Sequence, residues 1–373
     1  MREIQFTAVV LMSLLTLKLL LLPSKAIVSS FMKRAWWLMI VSIVLLGVHF
    51  LLQYIFRFRE MGVTQAVMIN LAVFIPCSWL LSLSLISLQR RGFICRSDLY
   101  TGPLTWVIAM GLMAYAAATD GQPLLAGSED MRRAEIAGSV CYMAMMVFYL
   151  WHHFKNLRFL SRALKNYYDE DLGSQLRWMR VTAIMLPIMG LIVPLMIFTY
   201  GPWLLFFGLI MFMFIFFLVD SYFNYVMSTA PAKVHEAEEQ EEQAVQEALE
   251  QDGEPHPSQQ HTSMQRVETA VQQWVSRGGH LKSGLKLPTV AEELGVPRYL
   301  LTTWLRNHDQ KYADWMTDLR IEEAKQVLSH HRDWSNEYVA QHCGFTDRTY
   351  FHRKFKEKTG LSPSDYQAQS ATK

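Results

Sequence analysis

A chain of 373 residues, 51% of them hydrophobic, allows two or three domains. Its net charge of +2 hides three segments: residues 1–230 hold about 18 Lys and Arg against 11 acids, 231–264 are acidic, and 265–373 are mildly basic again. The four cysteines, Cys77, Cys95, Cys141 and Cys343, form no CxxC pair and no spacing with histidines, which excludes a disulfide framework and a cysteine metal motif.

Seven apolar runs fill the first segment, near 6–22, 35–56, 64–88, 103–119, 135–151, 181–200 and 203–226. Each approaches the roughly 20 helical residues that cross about 30 Å of hydrocarbon. The stretch MFMFIFFLV (211–219) is apolar on every side, whereas a core helix of a soluble protein is amphipathic. The first run reads as a retained span, because Lys25, Lys33 and Arg34 follow it and no small-residue cleavage site appears. One set of connecting loops holds Lys25, Lys33, Arg34, Arg90, Arg91, Arg96, Lys155, Arg158, Arg162, Lys165, Arg177 and Arg180. The opposite set holds only Arg2, Arg57, Arg59, Arg132 and Arg133. The expected location is the inner (cytoplasmic) membrane, and the positive-inside rule then puts the N-terminus outside and the C-terminus in the cytoplasm.

Polar groups within the spans are few. Lys18 sits near the cytoplasmic end of the first span, where it reaches the interface. His49 and Gln53 lie one turn apart in the second; they either bond a neighbouring helix, sit at the interface or line a ligand cavity. Asp220 falls at the cytoplasmic edge of the last. Pro187, Gly190 and Pro194 bend the sixth span, as a hinge or as a packing kink. A retinal site needs a lysine in the last span, and 203–226 has none. A haem bundle needs facing histidines; only His49 qualifies, with His152 and His153 at a span end. No cofactor and no metal is expected. The outside loops are short, so a signal is a lipid, a small molecule, a loop-bound ligand or a partner protein.

Residues 230–263 form a linker rich in Glu and Gln, then in Gly, Pro, Ser and His (DGEPHPSQQH). The first part extends the last span as a helix, and the second is expected to be disordered. It serves as a solvated spacer, or its acids compete with DNA phosphate for a basic face.

From 264 onwards the periodicity changes. Val267, Val271, Trp274 and Val275 give one helical face, closed by Gly278-Gly279. In LPTVAEELGVPRYLLTTWLRN, Ala291 is small where two helices cross, and Gly295 supplies the turn four residues later. Val290, Leu294, Val296, Leu301 and Leu305 point inward, and Pro297 suits the start of the next helix. A connecting helix, about 313–329, carries Trp315, Leu319, Ile321, Ala324 and Leu328. The pattern then repeats in SNEYVAQHCGFTDRTYFHRKFKE, with Ala340 and Gly344 at the same offset. There Val339, Phe345, Phe351 and Phe355 face the core, and Asp347 or Thr346 caps the helix. Two helix-turn-helix units within a hundred residues are far more specific than one.

Arg320-Ile321 with Ala324 and Leu328, then Gly344-Phe345, Phe351, Arg353, Phe355-Lys356, Gly360, Ser362-Pro363 and Tyr366, resemble the DNA-binding domain of the AraC/XylS family of transcriptional regulators. The resemblance covers about 265–367. It implies two recognition helices reading successive major-groove segments of a promoter. By motif position, Tyr299, Thr302 and Thr303 read bases from the first helix, and Arg348, Thr349, His352 and Arg353 from the second. Arg298, Lys354 and Lys356 contact phosphate. Thr303 stands where many members place arginine, and a seven-span bundle replaces the usual soluble sensor.

The expected architecture is all-α: a seven-helix transmembrane bundle (1–229), an acidic linker (230–263) and a double helix-turn-helix domain (264–373). The expected function is that of a membrane-bound one-component transcriptional regulator with no catalytic constellation. Its expected partners are promoter DNA, membrane lipid, a second copy of the chain, an unidentified signal ligand and RNA polymerase. One rival is a receptor or transporter whose cytosolic helical domain binds protein. Another is a membrane enzyme using His49, His152 or His153.

Overall fold

The computed structural model describes residues 2–23, 27, 29–90, 92–121, 123, 126–169, 176–197, 202–228, 231–232, 236, 239, 243, 257–331 and 333–370. Lys25 and Arg91 of the basic loops and most of the acidic run 238–254 lie outside the described residues. The fold is all-α; among the described residues the β pairing is one isolated bridge, Tyr168 with Lys286. The chain divides into two compact units, Met1–Leu160 with Gln175–Pro231, and Ser161–Ser174 with Ala232–Lys373.

The first unit is built on seven helices: α1 (Arg2–Leu20), α2 (Ser30–Phe56), α3 (Val63–Gln89), α4 (Arg96–Asp120), α5 (Glu129–Tyr167), α6 (Arg177–Ile197) and α7 (Pro202–Met227). All seven are long and apolar enough to cross a membrane. A 27-residue helix such as α2 measures about 40 Å at 1.5 Å per residue, enough to span the hydrocarbon with residues to spare. Their outward faces are apolar too: Leu14, Val44, Val107, Val140, Leu209 and Met213 are all exposed. A monomer in water rarely leaves so much contiguous apolar surface open.

The interior is held by small residues and by hydroxyls. A Cβ on Gly190 would come within 2.8 Å of Met146, so the proline-flanked turn of α6 lies close against α5. Ser84 donates to the Ala35 carbonyl and Ser42 to that of Cys77, at 2.8 and 3.0 Å, and Ser78 shares a 2.8 Å bond with Tyr142. Lys18 does more than reach an interface. It pairs with Asp220 and lies 4.9 Å from the Phe223 ring centroid. Sequence alone gives the lysine and the acid as two separate edge residues; the packing of α1 and α7 brings them together.

The second unit begins with the end of α5 and adds seven helices: α8 (Pro257–Ser276), α9 (Leu287–Leu294), α10 (Arg298–Asn307), α11 (Tyr312–His330), α12 (Asn336–His342), α13 (Arg348–Thr359) and α14 (Pro363–Ser370). Helix α8 starts at Pro257, inside the stretch expected to be disordered. Its Val267, Val271 and Trp274 share one cluster with Val290 and Leu294 of α9, Leu301 and Leu305 of α10 and Trp315 of α11. A second cluster joins α11 through Ile321, Ala324 and Leu328 to Val339, Phe345, Phe351 and Phe355. Both inward faces expected from periodicity are therefore in the core.

Candidate nucleic-acid interface

The repeat seen in the sequence is a repeat of backbone geometry. Gly295 and Gly344 both adopt positive φ, +64° and +81°, in the left-handed region that side chains disfavour. In each turn the residue after glycine donates its N–H back to the alanine carbonyl: Val296 to Ala291 at 3.1 Å, and Phe345 to Ala340 at 2.9 Å. This closes the first helix and throws the chain across it. Gly344 has a second constraint, because a Cβ there would lie 2.6 Å from the Leu281 carbonyl oxygen.

Helix α13 opens on Asp347, whose carboxylate accepts from the Thr349 and Tyr350 N–H groups at 2.5 and 3.1 Å. That cap leaves Arg348, Thr349, His352 and Arg353 exposed on one side, while Phe351 and Phe355 are fully buried on the other. The Arg353 guanidinium lies over the Tyr350 ring, 5.4 Å from its centroid. Lys356 is also exposed. Lys354 is not: it is 9% exposed and its ammonium meets Glu357 at 2.9 Å. Three residues on from Phe351, it falls on the inner side of the helix, and its pairing holds the Glu357 carboxyl below the usual carboxylate range. The placement differs from the phosphate-facing one expected, and the i+3 spacing already carried the signal.

On α10, Arg298, Tyr299, Thr302 and Thr303 share the outward side but are only partly exposed. Thr302 turns its hydroxyl back to the Arg298 carbonyl at 3.1 Å. Beside the start of α9, Glu236 accepts from Lys286 at 2.5 Å and from the Tyr167 and Tyr168 hydroxyls at 2.8 Å each. Burial alone would raise the Glu236 carboxyl, but these hydrogen bonds and the Lys286 charge outweigh it and hold it low.

Comparison with known proteins agrees with this geometry. A family described as a helix-turn-helix domain matches residues 290–369. The transcriptional regulator GadX of Escherichia coli is 33% identical over 85 residues, covering 23% of this chain and 31% of that protein. The uncharacterized HTH-type transcriptional regulator YijO of the same species is 33% identical over 88 residues, covering 23% and 31%. The regulatory protein PocR of Salmonella typhimurium is 26% identical over 91 residues, covering 24% and 30%. The C-terminal unit carries an AraC-type helix-turn-helix domain. The chain spans about a third of the length of these relatives, and the family match itself lies within 290–369.

The AraC-type domain holds a buried ion pair that no local motif announced. Arg320 of α11 is 0% exposed. It donates through Nε to the His280 carbonyl at 3.0 Å, and through Nη2 to the Lys282 carbonyl at 2.7 Å and to Asp169 Oδ2 at 2.6 Å. The same carboxylate oxygen accepts the Leu285 N–H at 2.8 Å. Asp169 thus ties α11 to the loop before α9 from a position 151 residues upstream of Arg320. Cys343 is also buried beside this network, and burial pushes its thiol up to about 12, so it stays an unreactive core residue.

The histidines named for an enzyme reading do not converge. His153 bonds Gln89, the last residue of α3, at 3.1 Å, and His152 meets Asp98 at 2.5 Å. His49 instead lines a cavity with Asn70, near the start of α3. Nineteen helical residues from Asn70 to Gln89 measure about 28 Å, too far for a shared site.

Proposed function

We propose that the chain is a membrane-bound one-component transcriptional regulator, in which the seven-helix unit senses a signal and the AraC-type domain binds promoter DNA. One observation carries the reading. A single chain joins seven helices of spanning length to a tandem helix-turn-helix whose second helix presents Arg348, Thr349, His352 and Arg353 outward. Those are residue types that read base edges, arginine against guanine above all. Tyr299, Thr302 and Thr303 are the proposed readers on α10, with Arg298 and Lys356 at phosphates. The Lys and Arg asymmetry of the loops supports a cytoplasmic C-terminus, where DNA is available. A homodimer formed through the bundle would raise the local concentration of paired domains on a promoter.

Regulation takes place at the membrane rather than through a released fragment. Release of a fragment cut within 227–264 would require the helix-turn-helix helices to part from Asp169, and would leave Arg320 buried without its acid, a costly state. The test is chromatin immunoprecipitation of the tagged full-length protein, paired with a blot of its C-terminus under inducing conditions. Discrete promoter enrichment with an intact membrane-bound band is the expected result. No enrichment above an untagged strain would favour the protein-interaction rival. A soluble fragment of about a hundred residues that accounts for occupancy would make cleavage the switch.

A further inference from the structure

The first unit contains a cavity of about 100 Å³ between the start of α1, the end of α2, the start of α3, the end of α6 and the start of α7. Its lining divides sharply. On one side lie the side chains of His49, Gln53 and Asn70, respectively 2%, 5% and 7% exposed. Gln5 of α1 adds a fourth polar side chain, and the rest is apolar, with four phenylalanines, Phe50, Phe74, Phe207 and Phe212. Phe74 stands 5.0 Å from the His49 ring, and Phe50 packs edge-on against Phe212 at 5.4 Å. Among the described residues, no Lys, Arg, Asp or Glu lines it.

Gln53 makes this more than a packing gap. Its Oε1 is buried and finds no hydrogen-bond partner among the described residues. A buried acceptor left unsatisfied carries its full desolvation cost. Other buried polar atoms of the first unit, such as Ser139 Oγ and Thr182 Oγ1, also have no partner among the described residues, but unlike them Gln53 lines a cavity. A polar side chain inside a spanning bundle is by default a functional candidate. The oxygen requires a donor, and the cavity has room for a molecule to bring one. Apolar cavities of roughly 150 Å³ take benzene; at about 100 Å³ this one is smaller but partly open, so a single ring is the upper limit and would extend into its open side. Because no charged side chain is present, an ion would be buried without a partner, which is prohibitive.

We propose that this cavity is the sensory site of the regulator, and that it binds a small uncharged aromatic molecule carrying one O–H or N–H donor, with Gln53 Oε1 as acceptor and the Phe50, Phe74 and Phe212 rings as walls. This rests on the sensor reading above and names the ligand class of that sensor. Phenols are the simplest members of the class.

The test uses the full-length protein in lipid nanodiscs, with 4-fluorophenol as probe and fluorine NMR as readout. 4-Fluorotoluene has the same ring and no donor. The expected result is a saturable, protein-dependent fluorophenol signal, displaced by phenol and roughly tenfold weaker with fluorotoluene, the upper range for one neutral hydrogen bond. That comparison needs no variant. Gln53→Leu should bring fluorophenol down to the fluorotoluene level. Gly208 lines the cavity, and a Cβ there meets nothing within 4 Å, so Gly208→Leu should fill the space and abolish both signals. Linear uptake equal to that of empty nanodiscs, equal affinity for both probes, or full binding in Gly208→Leu would each overturn the proposal. Promoter retention by the same preparation is scored separately. Retention without probe binding removes only the ligand site, whereas probe binding without retention removes only the regulator reading.

Discussion

Asp169 and Arg320 show how much one residue outside a recognised domain can matter to it. A buried guanidinium needs an acid, and here the acid comes from the loop that follows α5. Removing one partner of a buried pair costs about 3–5 kcal/mol. Asp169→Ala should therefore destabilise the C-terminal unit by roughly that amount, seen as faster hydrogen exchange throughout α11 in the full-length protein. A loss below about 1 kcal/mol would mean that the two backbone carbonyls suffice for Arg320. On α13, Arg353→Ala should weaken the specific site by about 1–3 kcal/mol and relax selectivity at that base, because bidentate contacts discriminate by this much. Lys356→Ala should weaken specific and random DNA alike and flatten the salt dependence. Competition binding with both duplexes separates these outcomes, and equal losses for both variants would reject the assignment.

At the scale of elements, the tandem units share a turn but differ in how their recognition helices are presented. Helix α13 is set by a side-chain cap, Asp347, and stands clear on its outward side. Helix α10 follows Pro297 without a side-chain cap bond, and its outward residues are partly covered. The cap contributes about 1 kcal/mol. Asp347→Ala should speed exchange of the first α13 amides roughly fivefold while the amides of α10 stay unchanged. Unaltered protection at α13 would show that tertiary packing alone fixes its start. Periodicity was enough to find these helices and their inner faces, since 3.6 residues per turn dictates which side chains share a side. It was not enough to say what lies over the outer face of α10, which depends on packing from elsewhere in the unit.

At the scale of the whole molecule, two kinds of surface occur on one chain. The first unit exposes apolar side chains around its girth, and the second exposes charged ones. Topology is the prediction that belongs here. Reporter fusions after Arg96 and Arg180 should report cytoplasm, and one near Gly127 should report the outside, as the loop charges require. A cytoplasmic signal at Gly127 would invert the arrangement or remove a span.

Run length and composition alone determined that seven helices of spanning length precede a tandem helix-turn-helix, because both signals are local and repeat along the chain. Ala291 with Gly295 and Ala340 with Gly344 could be read as turns for the same reason. The tertiary structure alone decided that Lys18 meets Asp220, that Asp169 neutralises Arg320, and that His49, Gln53 and Asn70 share one cavity. His49 and Gln53 were visible as a pair one turn apart, but Asn70 comes from another helix. Such contacts join residues far apart in sequence. Their partners are chosen by how the helices pack, and no local spacing encodes that choice.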